Sequence, residues 1–151
     1  MRASQVGRAA AISPDLEAFS FHQGVISRAS AGDLKAQREM RDLALSAYAD
    51  GLTDIVTGSF WAVIMARLAA AHGEPVDKLA LASAICFHAA AFERECPERH
   101  DELVGEAFAI VDALADSTTE PSEFAARFLQ QHAGDVRPAV LRRANELRGL
   151  I

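Results

Sequence analysis

The sequence predicts an all-α fold, a single-domain bundle or short irregular array of about six antiparallel helices. Apolar residues recur every three or four positions through most of the 151-residue chain, which is the spacing of one helix face. Alanine, the strongest helix former, is very common, and no alternating apolar–polar run is long enough for a sheet. Glycine and proline fall mainly between the periodic segments, where they end and begin helices.

The N-terminal part is predicted to contain little structure. We expect residues 1–12 to form a flexible tail and residues 13–151 to form the single helical domain. Ser13 and Pro14 are typical of a helix start, with serine as the N-cap and proline in the first turn. Gly24 is expected to end this first short helix.

Residues 32–73 predict two amphipathic helices joined as a hairpin. The first arm begins at Asp33 and ends at Gly51, and the second runs from Asp54 to His72. The first arm is expected to bury Ala36, Met40, Leu43, Ala44, Ala47 and Tyr48. The second is expected to bury Val56, Phe60, Ile64, Leu68 and Ala71. Because neither arm can cover its own stripe, the hairpin must pack against further helices or a partner.

The remaining helices follow from the same periodicity. Residues 77–94 are apolar nearly all round, which predicts a central helix. Pro97 restarts the chain, and a stripe through residues 103–114 predicts the next helix. A shorter helix is expected over residues 124–129, and a last helix from about Val136 to the C-terminus.

The hairpin also carries a family resemblance. It has small residues, glycines and one tryptophan at spaced positions: Gly32-Asp33-x-x-Ala36-Gln37, Tyr48-x-x-Gly51, Trp61 and Ala69-Ala70-x-x-Gly73. In these positions the segment resembles a Sel1-like repeat, a relative of the tetratricopeptide repeat. It differs from that family in its longer arms, in Met40-Arg41 at the usual Leu-Gly pair, and in the lack of a second copy after Gly73. The resemblance implies a protein-interaction scaffold.

The composition limits the binding partners and the cellular compartment that can be expected for this protein. A net charge of −6 makes nucleic acid an unlikely partner, because phosphates would be repelled overall. Two cysteines are too few for a disulfide scaffold and fit a reducing cytoplasm. The apolar stretches are too short to span a bilayer, and the N-terminus lacks the apolar core of a secretory signal. We therefore expect a cytoplasmic protein with no membrane partner.

The predicted function is a non-enzymatic protein–protein interaction or regulatory module that binds another protein or itself. Its contact face is expected on the second arm, where Trp61 lies outside the main stripe beside Ile55 and Met65, because large aromatics favour interfaces. Arg142 and Arg143 on the last helix form a second candidate surface, suited to an acidic partner or to nucleic acid. No cofactor is expected.

Two alternatives involve ligands. His88 and the His100-Asp101 pair, with Asp112 or Asp116 beyond them, resemble the HD-type metal-dependent phosphohydrolases, which implies a divalent metal that activates water. The other alternative is a sensor that holds an apolar small molecule between the central helices.

A zinc site is not predicted, although potential ligands cluster in this part of the chain. Cys96 and His100 have a plausible spacing for one pair of ligands. Cys86 and His88 lie about 200° apart around a helix and cannot converge on one ion. His88 is instead expected to face the core and to bond to a backbone carbonyl on a neighbouring helix.

Overall fold

The computed structural model describes residues 23–116, 127–128, 136–148 and 150 of the chain. Within these ranges the regular structure is helical and contains no strand, which confirms the all-α fold class. The helices are α1 Gln23–Ser30, α2 Leu34–Ala49, α3 Ile55–Ala70, α4 Pro75–Ala90, α5 Pro97–Ala115 and α6 Pro138–Leu147. The predicted tail over residues 1–12, the helix start at Ser13 and most of the helix over 124–129 lie outside the described residues.

The ends of α2 and α3 lie close to where the sequence predicts them. The Asp33 carboxylate caps α2 by accepting a hydrogen bond from the Ala36 N–H at 2.9 Å, and Asp54 caps α3 through the Thr57 N–H at 2.8 Å. Gly73 follows α3 with a φ of +94°, a left-handed conformation that glycine adopts without strain. Local chemistry therefore determines these boundaries.

The prediction that Gly24 ends a helix is wrong. Gly24 lies within α1, one residue from its start. This helix is held by its packing on α2, where the side-chain amide of Gln37 donates to the Ala29 carbonyl at 3.1 Å. Ala29 is fully buried in a small core cluster with Met40 and Met65. Tertiary packing therefore stabilises a helix that residue preferences alone do not predict.

The four helices α2 to α5 form two stacked hairpins. Consecutive helices pack on each other and are joined by short connections, residues 50–54, 71–74 and 91–96, which makes neighbours antiparallel. The first hairpin is α2–α3 and the second is α4–α5. Arg38 of α2 pairs with Asp77 near the start of α4, and Tyr48 contacts Phe87 near the end of both helices. Hence α2 and α4 run parallel, so the second hairpin repeats the orientation of the first.

Helix α6 continues this array beside α5. Two ion pairs join the helices in order, Arg137 with Asp101 and Arg148 with Asp112, so α5 and α6 are also parallel. The helices approach closely at Gly105, where an added Cβ would lie 2.6 Å from the Arg143 Cβ. Glycine is required there because a larger residue would separate the two backbones.

Helix α4 occupies the centre of the described structure, as its apolar surface predicts. It packs against both α3 and α5, and Leu81, Ile85 and Ala89 lie in the main core cluster. Across the described ranges, no helix is both long enough and apolar enough to cross a membrane.

Candidate interaction surface

Helix α3 turns several large apolar side chains outward, contrary to the sequence prediction. Val56 is 44% exposed, Phe60 50% and Leu68 40%, although the sequence predicts that all three face the core. The residues that are buried instead are mostly small, namely Gly58, Ser59, Ala62, Ala66 and Ala69, together with Val63 and Met65. The predicted stripe of α3 is therefore wrong in direction.

The physical reason is the short distance between α3 and its neighbour α2. A Cβ added to Gly58 would lie 3.0 Å from the Tyr48 Cβ and 3.1 Å from the Ala44 carbonyl oxygen. Ala62 and Ala66 have no exposed surface. At such distances only hydrogen or a methyl group fits between the helices, so the bulky side chains of α3 must point elsewhere.

Four exposed residues and the half-buried Ile64 form an apolar surface, which we call the α3 stripe: Val56, Phe60, Trp61, Ile64 and Leu68. Four of its members repeat every four residues and so follow one ridge of the helix for about 18 Å. The stripe contains no charged side chain. The one charged residue of α3, Arg67, is paired with Glu106 of α5. Apolar surfaces of this kind are typical of protein-interaction sites.

Aromatic contacts orient the centre of the α3 stripe. The Phe60 ring meets the Trp61 ring edge-on, with centroids 6.3 Å apart and planes at 72°. Phe60 also lies 6.2 Å from the His88 ring, which contacts Phe92 edge-on at 5.1 Å. These contacts restrict the two exposed rings, which lowers the entropy lost when they bind a partner.

His88 is buried beneath the α3 stripe and links α4 to α3, which confirms that it faces the core. Its Nδ1 lies 2.7 Å from the Ser59 hydroxyl, so its partner on α3 is a side chain and not the predicted backbone carbonyl. Because that hydroxyl donates to the Ile55 carbonyl, it accepts a hydrogen bond from the imidazole N–H. Burial lowers the pKa of His88, and the positive charge of Arg99 lowers it further. A neutral imidazole thus packs against the Phe60 ring on its buried side.

The structure separates the predicted contact residues of the second arm. Trp61 is 37% exposed and belongs to the α3 stripe, while Ile55 is half-buried at the first position of α3. Met65 is only 3% exposed and packs against Met40 and Ala29. Met65 is therefore a core residue and not part of a contact face, because its side of α3 is turned toward α1 and α2.

Arg142 and Arg143 are not brought together with Trp61, since their helix α6 packs on α5. Arg143 pairs with Glu146 at 3.1 Å, and its stem lies against Gly105. Both arginines line a surface cavity with four carboxylates, Glu98, Asp101, Glu102 and Glu146. These acidic neighbours offset the basic charge that the sequence suggested for an acidic partner.

The residues of the metal alternative are also dispersed. His100 and Asp101 are 3.0 Å apart, but the guanidinium of Arg137 contacts both, whereas His88 is bonded to Ser59. In the part of the chain that the structure describes, no group of three or more His, Cys, Asp or Glu side chains could hold a metal ion. The side chains therefore do not assemble the site that the phosphohydrolase resemblance implies.

A second apolar surface lies between the parallel helices α2 and α4. It is a shallow groove of about 610 Å³, lined by apolar residues that include Leu45, Tyr48, Ala84 and Phe87. The Tyr48 and Phe87 rings meet edge-on across it at 5.4 Å. This groove lies where the two hairpins stack, and residues of α2 form one of its sides.

The sequence does contain a signal for the outward direction of α3. Small residues recur every four positions on one face, at Gly58, Ala62 and Ala66. Such a row is the pattern of closely approaching helices, and it competes with the row of large residues for the inward direction. The two rows together define two candidate inward faces of α3, and the sequence alone does not choose between them.

No family model, curated protein or solved structure matches this chain. The resemblance of residues 32–73 to a Sel1-like repeat accordingly stays a prediction. The feature of the chain that bears most directly on function is the exposed face of α3.

Proposed function

We propose that this protein is a non-enzymatic interaction module that associates with a second copy of itself through the α3 stripe. The observation that supports this proposal is the orientation of α3, whose two largest side chains, Phe60 and Trp61, are exposed while most of its small residues are buried. Covering such a surface removes apolar area from water, which is the main favourable term in protein association.

The uncharged α3 stripe allows a second copy to be the partner although the chain is acidic. With a net charge of −6, two copies repel each other over most contact surfaces. The α3 stripe is uncharged, so it lets two copies meet without placing like charges in contact. Residues spaced by four form a ridge that can interdigitate with the same ridge of another helix. A two-fold axis near Trp61 would pair the stripe with itself.

Two further features agree with a scaffold role. The stacked hairpins α2–α3 and α4–α5 resemble the way in which helical repeats build extended binding surfaces. The Sel1-like pattern of residues 32–73 implies the same class of function.

Cys86 and Cys96 are both free thiols, which is in keeping with a reducing cytoplasm as the compartment.

The first test measures the mass of the protein in solution by light scattering or sedimentation over a range of concentrations. We expect the wild type to form dimers and Phe60→Asp to be monomeric, because a charge in the α3 stripe would be buried without a partner. The matched control is Leu141→Asp on α6. Leu141 is 49% exposed and Phe60 is 50% exposed, so the two substitutions differ in location and not in burial.

The second test uses Trp61, the single tryptophan of the chain, as a reporter. Its emission should shift to shorter wavelength as the wild type is concentrated, and should stay constant in Phe60→Asp. Circular dichroism checks that both variants keep the helical content of the wild type. A wild type that is monomeric at every concentration, or an equal loss of dimer in the Leu141 variant, would overturn the proposal.

A further inference from the structure

A separate cavity lies between α4, α5 and the start of α6. Its volume is about 470 Å³, within the usual range for small-molecule sites. One wall is apolar and includes Val104, Phe108 and Val136. Arg137 and His100 also line it. The cavity therefore offers both apolar and polar contacts, which suits a ligand that has an apolar part and a polar part.

The apolar wall is rigid and uncharged. Phe108 is 9% exposed and meets the Phe128 ring edge-on, with centroids 6.0 Å apart. Cys86 also lines the cavity, and burial raises the pKa of its thiol to about 11. The thiol is therefore protonated near neutral pH and contributes apolar surface rather than a nucleophile.

Two contacts, both through Nη2, orient the guanidinium of Arg137. Its Nη2 donates to the Asp101 carboxylate at 2.6 Å and to His100 Nδ1 at 2.9 Å. Its Nε and Nη1 form no hydrogen bond within the described part of the chain. Because Asp101 is largely buried, the ion pair orients Arg137 before a ligand arrives. An arginine oriented in this way can offer its remaining N–H groups to a carboxylate or sulfonate.

We propose that this cavity binds a small amphipathic anion. The apolar body lies against Val104 and Phe108, and the anionic group accepts hydrogen bonds from Arg137. Glu93 lines the same cavity and is exposed, so its carboxylate is solvated but opposes an anion. This site lies on α4 to α6 and is independent of the self-association proposed for α3.

The experiment compares two fluorescent probes with the same aromatic body. One is 8-anilinonaphthalene-1-sulfonate, and the other is the uncharged N-phenyl-1-naphthylamine. We expect the sulfonate to bind the wild type with one site per chain, and about tenfold more tightly than the uncharged probe, because a charge-assisted hydrogen bond is worth about that much. Arg137→Gln should remove this preference, and Glu93→Gln should strengthen sulfonate binding.

The matched control is Arg148→Gln. It removes the other ion pair between α5 and α6, with Asp112, but Arg148 does not line the cavity. This variant should keep the preference for the sulfonate, which separates loss of a ligand contact from loosened helix packing. Val104→Trp should fill the cavity and abolish binding of both probes.

A third control, Phe60→Asp, distinguishes the cavity from the α3 stripe, which could also bind apolar probes. Probe binding at the cavity should be unchanged in this variant whatever its state of association. Equal affinity of the wild type for the two probes, or a sulfonate preference that survives Arg137→Gln, would overturn the proposal. Loss of binding in Phe60→Asp would assign the probes to the α3 stripe and would overturn it as well.

Discussion

Helices α3 and α4 are both 16 residues long and both rich in apolar residues, yet they differ in whether their large side chains face the core. In α4 the large side chains of Leu81 and Ile85 are buried, and only 8% and 0% of their surfaces are exposed. In α3 the largest side chains, Phe60 and Trp61, are exposed, whereas Ala62, Ala66 and Ala69 are buried. Hydrophobicity is therefore a poor guide to which side of an apolar helix faces inward.

The distance to the neighbouring helix explains this difference. At Gly58, α3 lies so close to α2 that an added Cβ would contact its side chains and backbone. Helix α4 packs instead against α3 and α5 through Leu81 and Ile85, which fill the space between them. Close contact selects small residues and leaves the large ones outside. Stability measurements can test this difference in packing between α3 and α4.

The largest expected effect is at the centre of α4. Ile85→Ala should lower the free energy of unfolding by about 2–5 kcal/mol, because it leaves a cavity in the main core. Phe60→Ala on α3 should change the stability of the monomer by less than about 0.5 kcal/mol, as for other exposed sites. Denaturant unfolding at a concentration low enough to dissociate dimers measures both. Equal losses would show that Phe60 is a core residue.

The next effect concerns the inner face of α3. Gly58→Leu should destabilise the protein by about 1–3 kcal/mol or more, because the added side chain has no room beside Tyr48 and Ala44. Val56→Leu adds a methylene to the exposed face and should be nearly neutral. Thermal unfolding of the two variants provides the comparison. If Gly58→Leu is tolerated as well as Val56→Leu, the close approach of α2 and α3 is wrong.

The smallest effect is a pH dependence at the contact between α3 and α4. Because the folded state lowers the pKa of His88, the unfolded chain binds a proton more readily. The resulting stability is fully present above the unfolded pKa of about 6.5 and is lost as the pH falls through the folded pKa. His88→Asn keeps a donor for Ser59 but does not titrate in this range.

Unfolding at pH 7.5 and pH 5.5 measures this effect. The wild type should lose more stability between the two values than His88→Asn, whereas the other histidines contribute equally to both proteins. An identical loss in the two proteins would indicate that His88 is not desolvated in the folded state.

Much of the helical framework could be predicted from local chemistry. Asp33 and Asp54 begin α2 and α3 because their carboxylates satisfy backbone N–H groups. Gly51 and Gly73 follow the same helices because each adopts a positive φ. The central position of α4 and the burial of His88 also follow from the sequence, since an apolar helix without a polar face belongs inside a domain. These features depend on residues near one another in the chain.

Tertiary structure alone decided the direction of α3, the burial of Met65 and the separation of Arg142 from Trp61. It also decided the parallel stacking of the second hairpin on the first, which no repeated motif in the sequence predicts. It placed Arg137 against Asp101, where Arg137 lines the cavity. The physical reason is common to all of these features. A periodic sequence defines the faces of a helix, but the distance and shape of neighbouring helices determine which face is buried.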